Sequence, residues 1–511
     1  MDQIKKFNKA VKIPHPVQAW EQLMTPAELH RVTVVLGRLA DLGDIPVDKA
    51  LIDALVHMWD RKASVFRFGN CELTLTLEEI AGLLGIPLKD RGALIPSMGN
   101  RRTFCALLGL YDTAIPGGPE ATSVTVMFLF SHFATKECYH NHLDHFSLPN
   151  EDAWRGKRAL VYGIVLAGTY LFPRPDGRIS FKLVKMIADL FFKVDSRDLS
   201  IVPIILADIF IACTRCQDGT RFFYGSNFIL QLWAFEHFTR RNLLHLGSIL
   251  EGYNWVKTHR RRTEDAPRRT SAEDYVYWFK GLKYHDVQWV LDWTDCHSPA
   301  LRTNRLQFIP VVGSEGIASY IPKRVMRQFG RIQDIPPEVA DQTLYSEFPQ
   351  GQIPTPIPHR SEIIEAWCTR GPGADDVFVA EEKTTPRTTP QYLDWFESTY
   401  VHPRQLRVMD PVTEVALLKA KLAATDRELI QERTERQRYQ SAYIELRREH
   451  VHSKELERDR KRACIQMAAD ITGVMNRYAW ESKDSKIQRY GDHLLKLQDE
   501  LRALDDGRTS P

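Results

Sequence analysis

Proline and glycine punctuate this chain unevenly, and that unevenness constrains its fold more than any other feature. Up to about residue 336 they recur at intervals that leave room for helices of ordinary length. After Pro411, and as far as Leu504, there is no proline, and the only glycines are Gly473 and Gly491. Such a stretch, rich in Lys, Arg, Glu, Gln and Leu, predicts a coiled-coil helix or helical hairpin over residues 411–506. Between body and tail, Pro349, Pro354, Pro356, Pro358, Gly371-Pro-Gly and Thr384-Thr-Pro-Arg-Thr-Thr-Pro read as a linker over residues 346–410. Two aromatic islands, Ile363–Trp367 and Tyr392–Tyr400, are expected to dock rather than stay in water.

The body, residues 1–345, reads as mainly α. Thr25-Pro-Ala-Glu is a capping-box start with proline at the first helical position, opening a helix to about Leu42. Leu51, Leu55 and Met58 recur at helical spacing in a second helix ending near Trp59. Val65-Phe-Arg-Phe-Gly-Asn-Cys-Glu-Leu-Thr-Leu-Thr has β-branched and aromatic residues around Gly-Asn, which predicts a small hairpin near residues 65–76. Thr76-Leu-Glu-Glu opens the next helix, stopped by Gly85 and Pro87. Further helices are expected over Ser123–His132, Arg155–Leu171, Phe181–Phe192, Val202–Cys213 and Phe228–Thr239.

In the tail, Val415, Leu422, Leu429 and Tyr443 fall at heptad position a, and Leu418, Tyr439 and Leu446 at d. Thr425, Glu432, Arg436 and His450 interrupt that seam, and Cys464, Met467, Ile471, Val474 and Tyr478 resume it. Self-association, or docking of a coiled-coil protein partner, is the expected role of this segment. With 68 Lys+Arg against 65 Asp+Glu, the formal charge is +3, too small to attract nucleic acid generally. Any such binding has to be local. The densest basic run is Lys257-Thr-His-Arg260-Arg261-Arg262, with Arg268 and Arg269 beyond it, a candidate contact for phosphates or an import receptor.

Other constellations weigh toward bland readings. Cys138, His142 and His145 have helical spacing that lets side chains share an ion, but no distant second ligand pair announces itself, so no metal site is assigned. Cys213-Thr-Arg-Cys216 falls at the end of an apolar helix rather than the start, which favours two reduced thiols. The crowded aromatics of Tyr275-Val-Tyr-Trp-Phe and Trp289-Val-Leu-Asp-Trp293 suit a core better than base stacking. Phosphate-loop, dinucleotide, zinc-protease and serine-hydrolase motifs are all missing. The paired carboxylates Glu78-Glu79 belong to a capping box. No catalytic residue, cofactor or small-molecule substrate is therefore assigned. The opening residues lack the apolar core of a secretory signal, and the run Ala159–Phe172 is shorter than the roughly 20 residues that span a bilayer. Nucleus or cytoplasm is expected, the nucleus favoured.

The hairpin-helix unit resembles a known family. Trp59, then Phe66-Arg-Phe-Gly-Asn-Cys-Glu-Leu-Thr-Leu-Thr-Leu-Glu-Glu-Ile-Ala-Gly-Leu-Leu-Gly-Ile-Pro87, is similar to the opening motif of the plant mobile domain, also labelled aminotransferase-like, and of a related domain of plant retroelement-associated proteins. Leu230-Gln-Leu-Trp-Ala-Phe-Glu-His-Phe238, Arg324-Val-Met-Arg-Gln-Phe-Gly-Arg-Ile-Gln-Asp-Ile-Pro336 and Trp395-Phe396 agree with it in order, over roughly residues 20–400. The resemblance implies a mostly helical domain of plant transposable elements and related host genes, some implicated in genome maintenance and transposon silencing. Transamination is not implied, since no Schiff-base lysine, phosphate cup or pyridine-nitrogen carboxylate is assignable. The family brings no catalytic residues, so Trp59, Phe66, Gly69, Leu77, Gly85, Trp233, Arg327, Gln328 and Gly330 enter as fold determinants. The reading reached is a non-enzymatic, transposable-element-derived scaffold or gag-like protein, with a nuclear nucleic-acid-binding or silencing factor using the 257–269 patch as the alternative.

Overall fold

The structure is a computed structural model that describes residues 15–45, 47–88, 92–93, 95–192, 199–238, 271–291, 293–294, 299–336, 345–348, 354, 357–371, 388–400, 458–467, 469–474, 489, 492–493 and 496. The chain forms two compact units, Met1–His402 and Pro403–Pro511. The fold of the first unit is mainly α, with small sheets.

The chain opens with α1 (His15–Glu21) and α2 (Pro26–Leu36), the latter started by the Thr25–Glu28 capping box. α2 stops short of Leu42 because Gly37 turns the chain at φ 59°, and a Cβ there would lie 1.9 Å from the Leu84 carbonyl oxygen. α3 (Lys49–Met58) then feeds a three-stranded antiparallel sheet of β1 (Trp59–Asp60), β2 (Val65–Phe68) and β3 (Cys71–Leu73). Phe68 pairs with Cys71 across the two-residue turn, where Gly69 has φ 50° and a Cβ would meet the Leu282 carbonyl oxygen at 2.0 Å. Only glycine fits there. α4 (Leu77–Leu84) follows, ending on left-handed Gly85.

The middle of the chain is helical: α5 (Arg101–Leu108), α6 (Val126–Phe133), α7 (Lys136–Asn141), α8 (Glu151–Leu166), α9 (Lys182–Phe192), α10 (Val202–Gln217) and α11 (Asn227–Phe238). The expected helix to Leu171 finishes instead in a turn of π-helix, Ala167–Leu171. α10 is buried on nearly every side, which is why its sequence is apolar all round rather than striped. α12 (Ala272–Gly281) packs on α3.

Sequence reading did not find a second antiparallel sheet, β4 (Ile309–Val312) with β5 (Gly316–Tyr320), whose outer partner is Ser346–Glu347. Both main strands are buried throughout, so the polar-apolar alternation that marks a half-exposed strand is missing. The sheet is fastened to α10 by polar contacts. Asp208 accepts from the Ser314 hydroxyl at 2.6 Å and the Glu315 amide at 3.2 Å, while Arg215 pairs with Glu315 at 2.6 Å and Glu347 at 2.8 Å. α13 (Arg360–Cys368) and α14 (Pro390–Tyr400) complete the unit, burying Ile363, Trp367, Tyr392 and Phe396.

Of the second unit, 458–467 and 469–474 are helical. The seam expected from Val415 to Leu446 lies outside the described residues, as does the basic run Lys257–Arg269. No described helix is long and apolar enough to cross a membrane.

Candidate functional site

The residues singled out in the sequence converge on the start of α4. Thr76 caps that helix: its hydroxyl accepts from the Glu79 amide and Glu79 Oε2 accepts from the Thr76 amide, each at 3.0 Å. Capping boxes usually sit at the surface, but Glu79 is only 1% exposed because α11 and the 3-10 turn Met326–Phe329 close over it. Those segments supply the rest of its partners. Trp233 Nε1 donates to Oε2 at 3.1 Å, Gln328 Nε2 donates to Oε1 at 2.8 Å, and His237 Nε2 contacts Oε1 at 3.1 Å. Each carboxylate oxygen thus has two partners, which offsets the several kcal/mol that burying an unpaired charge costs. His237 Nδ1 faces the Gln288 carbonyl oxygen at 2.6 Å, an acceptor. The ring is thus held between two oxygens, one on each nitrogen.

Gln328 does two jobs at once. Besides Glu79, its amide donates to the Thr74 carbonyl oxygen at 2.8 Å and accepts from the Thr74 amide at 3.0 Å, completing the backbone of β3 as a neighbouring strand would. Neighbouring Glu78 is buried too, accepting from the Ala300 amide at 2.7 Å, while its Oε2 has no partner. Burial pushes its carboxyl up to about 7. The aromatic members pack around this polar knot: Trp59 against Phe66 and Phe210 with ring centres 4.9 Å apart, and Phe66 against Trp233 at 5.3 Å. Trp59 Nε1 also donates to the Thr214 hydroxyl at 3.1 Å. Leu77 is buried, and Gly85 and Gly330 hold left-handed caps.

Beside the knot, three guanidinium groups alternate with rings. Arg327, 3% exposed, lies 3.7 Å from the centre of Trp289 and 5.6 Å from Tyr392. Arg324 binds both oxygens of Glu72 at 3.0 Å and lies 5.7 Å from Trp395. Arg67 joins Asp60 and Glu72 and lies 3.5 Å from the centre of Tyr400. The aromatic face of α14 is therefore held against the hairpin by cation–π contacts. Burial in this region also pushes the Cys71 thiol up to about 11, so it stays protonated at neutral pH.

The remaining candidates fall elsewhere. His142 and His145 come together with His132, whose Nε2 is 2.9 Å from His145 Nδ1 and whose ring centre is 4.3 Å from that of His142. Cys138 turns away, its thiol 3.7 Å from the Phe130 carbonyl oxygen. Among the described residues no group of three or more His, Cys, Asp or Glu side chains is arranged to hold a metal ion. Cys213 and Cys216 are both buried, and burial pushes Cys216 up to about 12. The aromatic crowd at Tyr275–Phe279 divides: Tyr275, Val276 and Phe279 are buried, whereas Tyr277 is 76% exposed. Sequence reading did not single out His237 or Glu72, expected the Tyr392–Tyr400 island to dock without naming what it docks on, and treated Glu79 only as a local cap; a buried partner hundreds of residues away leaves no mark in a capping-box spacing.

Comparison with known proteins bears on the same span. The family model described as plant mobile domain matches residues 36–397, a range holding Trp59, Glu79, Trp233, His237, Arg327, Gln328 and Tyr392. The protein named MAIN-LIKE 2, from Arabidopsis thaliana, is 24% identical over 404 residues, which cover 75% of this chain and 56% of that relative. The chain thus spans little more than half the length of the curated relative it matches. No solved structure matches.

Proposed function

Since this chain belongs to the plant mobile domain family, we propose that it is a transposable-element-derived plant protein that acts as a non-catalytic scaffold, with the nucleus as its setting, and that copies associate through the second unit. The observation that carries the self-association is in that unit. Cys464, Met467, Ile471 and Val474 succeed one another at three, four and three residues along the helical stretches 458–467 and 469–474. Met467 is 62% exposed, Ile471 46% and Val474 44%, and Cys464 is exposed as well. An apolar stripe at heptad spacing is the surface a second helix covers.

The non-catalytic part of the proposal is supported by how the first unit uses its titratable groups. Glu79, His237 and Gln328 are each at most 1% exposed and are occupied by one another and by Trp233 and Thr74. A general base needs a lone pair facing substrate, and the lone pairs of Glu79 are taken. Light scattering on the full chain tests the association: a particle of about twice the chain mass or more is expected at tens of micromolar. Met467→Lys with Ile471→Lys should reduce it to one chain. A wild-type monomer, or a double variant that still associates, would rule the stripe out.

A further inference from the structure

The face of α12 and of the turn after it leaves tyrosine rings exposed. Along this segment Tyr275, Val276, Phe279 and Leu282 point inward, and the exposed positions are Glu273, Asp274, Tyr277, Lys280, Gly281, Lys283, Tyr284 and His285. Tyr277 is 76% exposed, ahead of Tyr284 at 51%, Tyr111 at 50% and Tyr345 at 44%, whereas Tyr162, Tyr170, Tyr320 and Tyr392 are at most 1% exposed. Tyr284 meets the His285 ring edge-on at 5.2 Å, so that turn presents two adjoining rings. Four helical residues and three of turn keep the Cα atoms of Tyr277 and Tyr284 within about 17 Å, a span that a few nucleotides of single strand bridge.

The charge of the face suits a polyanion. Lys280 lies one turn beyond Tyr277, Lys283 adjoins Tyr284, and no exposed position between Tyr277 and His285 is aliphatic, which argues against an apolar protein partner. Glu273 and Asp274 are at the far end, while Asp286 adjoins His285, whose Nε2 lies 3.8 Å from it. Asp274 caps its own helix by accepting from the Ser271 amide at 3.2 Å, and Asp286, on the inner side of the turn, accepts from the Lys283 amide at 2.9 Å.

We infer that Tyr277 and Tyr284, flanked by Lys280 and Lys283, form a stacking platform for single-stranded nucleic acid. Each ring takes the face of a base and the two ammonium groups lie along the phosphates, an arrangement that tolerates any sequence. Duplex DNA hides its base faces and gains only the ionic part. This inference is independent of self-association through the second unit.

Fluorescence anisotropy with labelled oligo-dT and oligo-U of about 15 nucleotides, and a duplex of the same length, tests it on the full chain. The expectation is saturable binding of at least one single strand, tighter than the duplex by about tenfold or more. Tyr277→Ala and Tyr284→Ala should each weaken single-strand binding by about 5- to 100-fold, while Tyr277→Phe keeps it. Lys280→Gln with Lys283→Gln should flatten the slope of log affinity against log salt by about 1.4. The variants change exposed side chains, and an unchanged circular-dichroism melt verifies the fold. Absence of single-strand binding, equal affinity for the duplex or for poly-glutamate, or alanine variants that bind like the wild type would each overturn the inference. The last outcome would move binding to the Lys257–Arg269 run.

Discussion

Replacing Glu78 by glutamine should change how stability depends on pH, and the size of the change follows from its surroundings. The carboxyl is 5% exposed, with the Ala300 amide on Oε1 and no partner on Oε2. Burial raises it from an ordinary 4.5 to about 7, a difference worth about 3 kcal/mol at 1.36 kcal/mol per pH unit. The folded chain therefore holds this proton more tightly than the unfolded chain does. That stabilisation is complete below pH 4.5 and is lost as pH rises through 7. Glutamine keeps an oxygen for Ala300 and carries no charge, but adds amide hydrogens without acceptors, at about 1 kcal/mol. Glu78→Gln should then be more stable than wild type by about 2 kcal/mol at pH 8 and slightly less stable at pH 5. Urea denaturation at four pH values between 5 and 8 measures the difference. A constant gap between the two proteins over that range would refute the reasoning, since Asp208 and every other titrating group is common to both.

Other consequences are equally open to measurement. Asp208, raised by burial from 3.8 to about 7, has the same sign, so Asp208→Asn should also gain stability relative to wild type as pH rises from 5 to 8. The opposite sign applies to His132, lowered from 6.5 to about 4 by burial, with His142 and His145 adding to the effect. The unfolded chain takes up that proton first, so wild type should lose up to about 3 kcal/mol relative to His132→Phe as pH falls from 6.5 to 4, read from denaturation midpoints. Gly69→Ala should cost about 3 kcal/mol or more in thermal unfolding, because φ is positive and the added Cβ lies 2.0 Å from the Leu282 carbonyl oxygen. Arg327→Lys keeps the charge but loses the flat stacking on Trp289; a loss of about 1 to 2 kcal/mol and a shift in tryptophan fluorescence are expected.

What could be read in advance was whatever has a local signature. The Gly69-Asn70 turn, the capping boxes at Thr25 and Thr76 and the apolar stretches of α8 to α11 are all written within a few residues, and the structure has them. β4 and β5 escaped because burial on both faces leaves strands without alternation. The site divides in the same way. Trp59, Trp233, Arg327 and Gln328 were picked out by resemblance, but the physical role of Gln328 depends on Thr74 and Glu79, which are 254 and 249 residues away in sequence. Spacing cannot reveal such a meeting. The sorting of Tyr275 and Tyr277 to opposite sides of α12 was hidden for a related reason: the same residue type stands on both faces, with Tyr277 outside between Glu273 and Lys280 and Tyr275 inside.

Glu79, Trp233, His237 and Gln328 form a lock joining the hairpin-helix unit, α11 and the turn at Met326–Phe329. A double-mutant cycle on Glu79 and Gln328, whose side chains meet at 2.8 Å, tests it most directly. Glu79→Gln, Gln328→Met and the pair would be compared by urea denaturation. The account predicts that each single change costs about 2 kcal/mol or more and that the two couple by about 1 to 3 kcal/mol. Single changes that leave stability untouched, or costs that add to within about 0.5 kcal/mol, would contradict it.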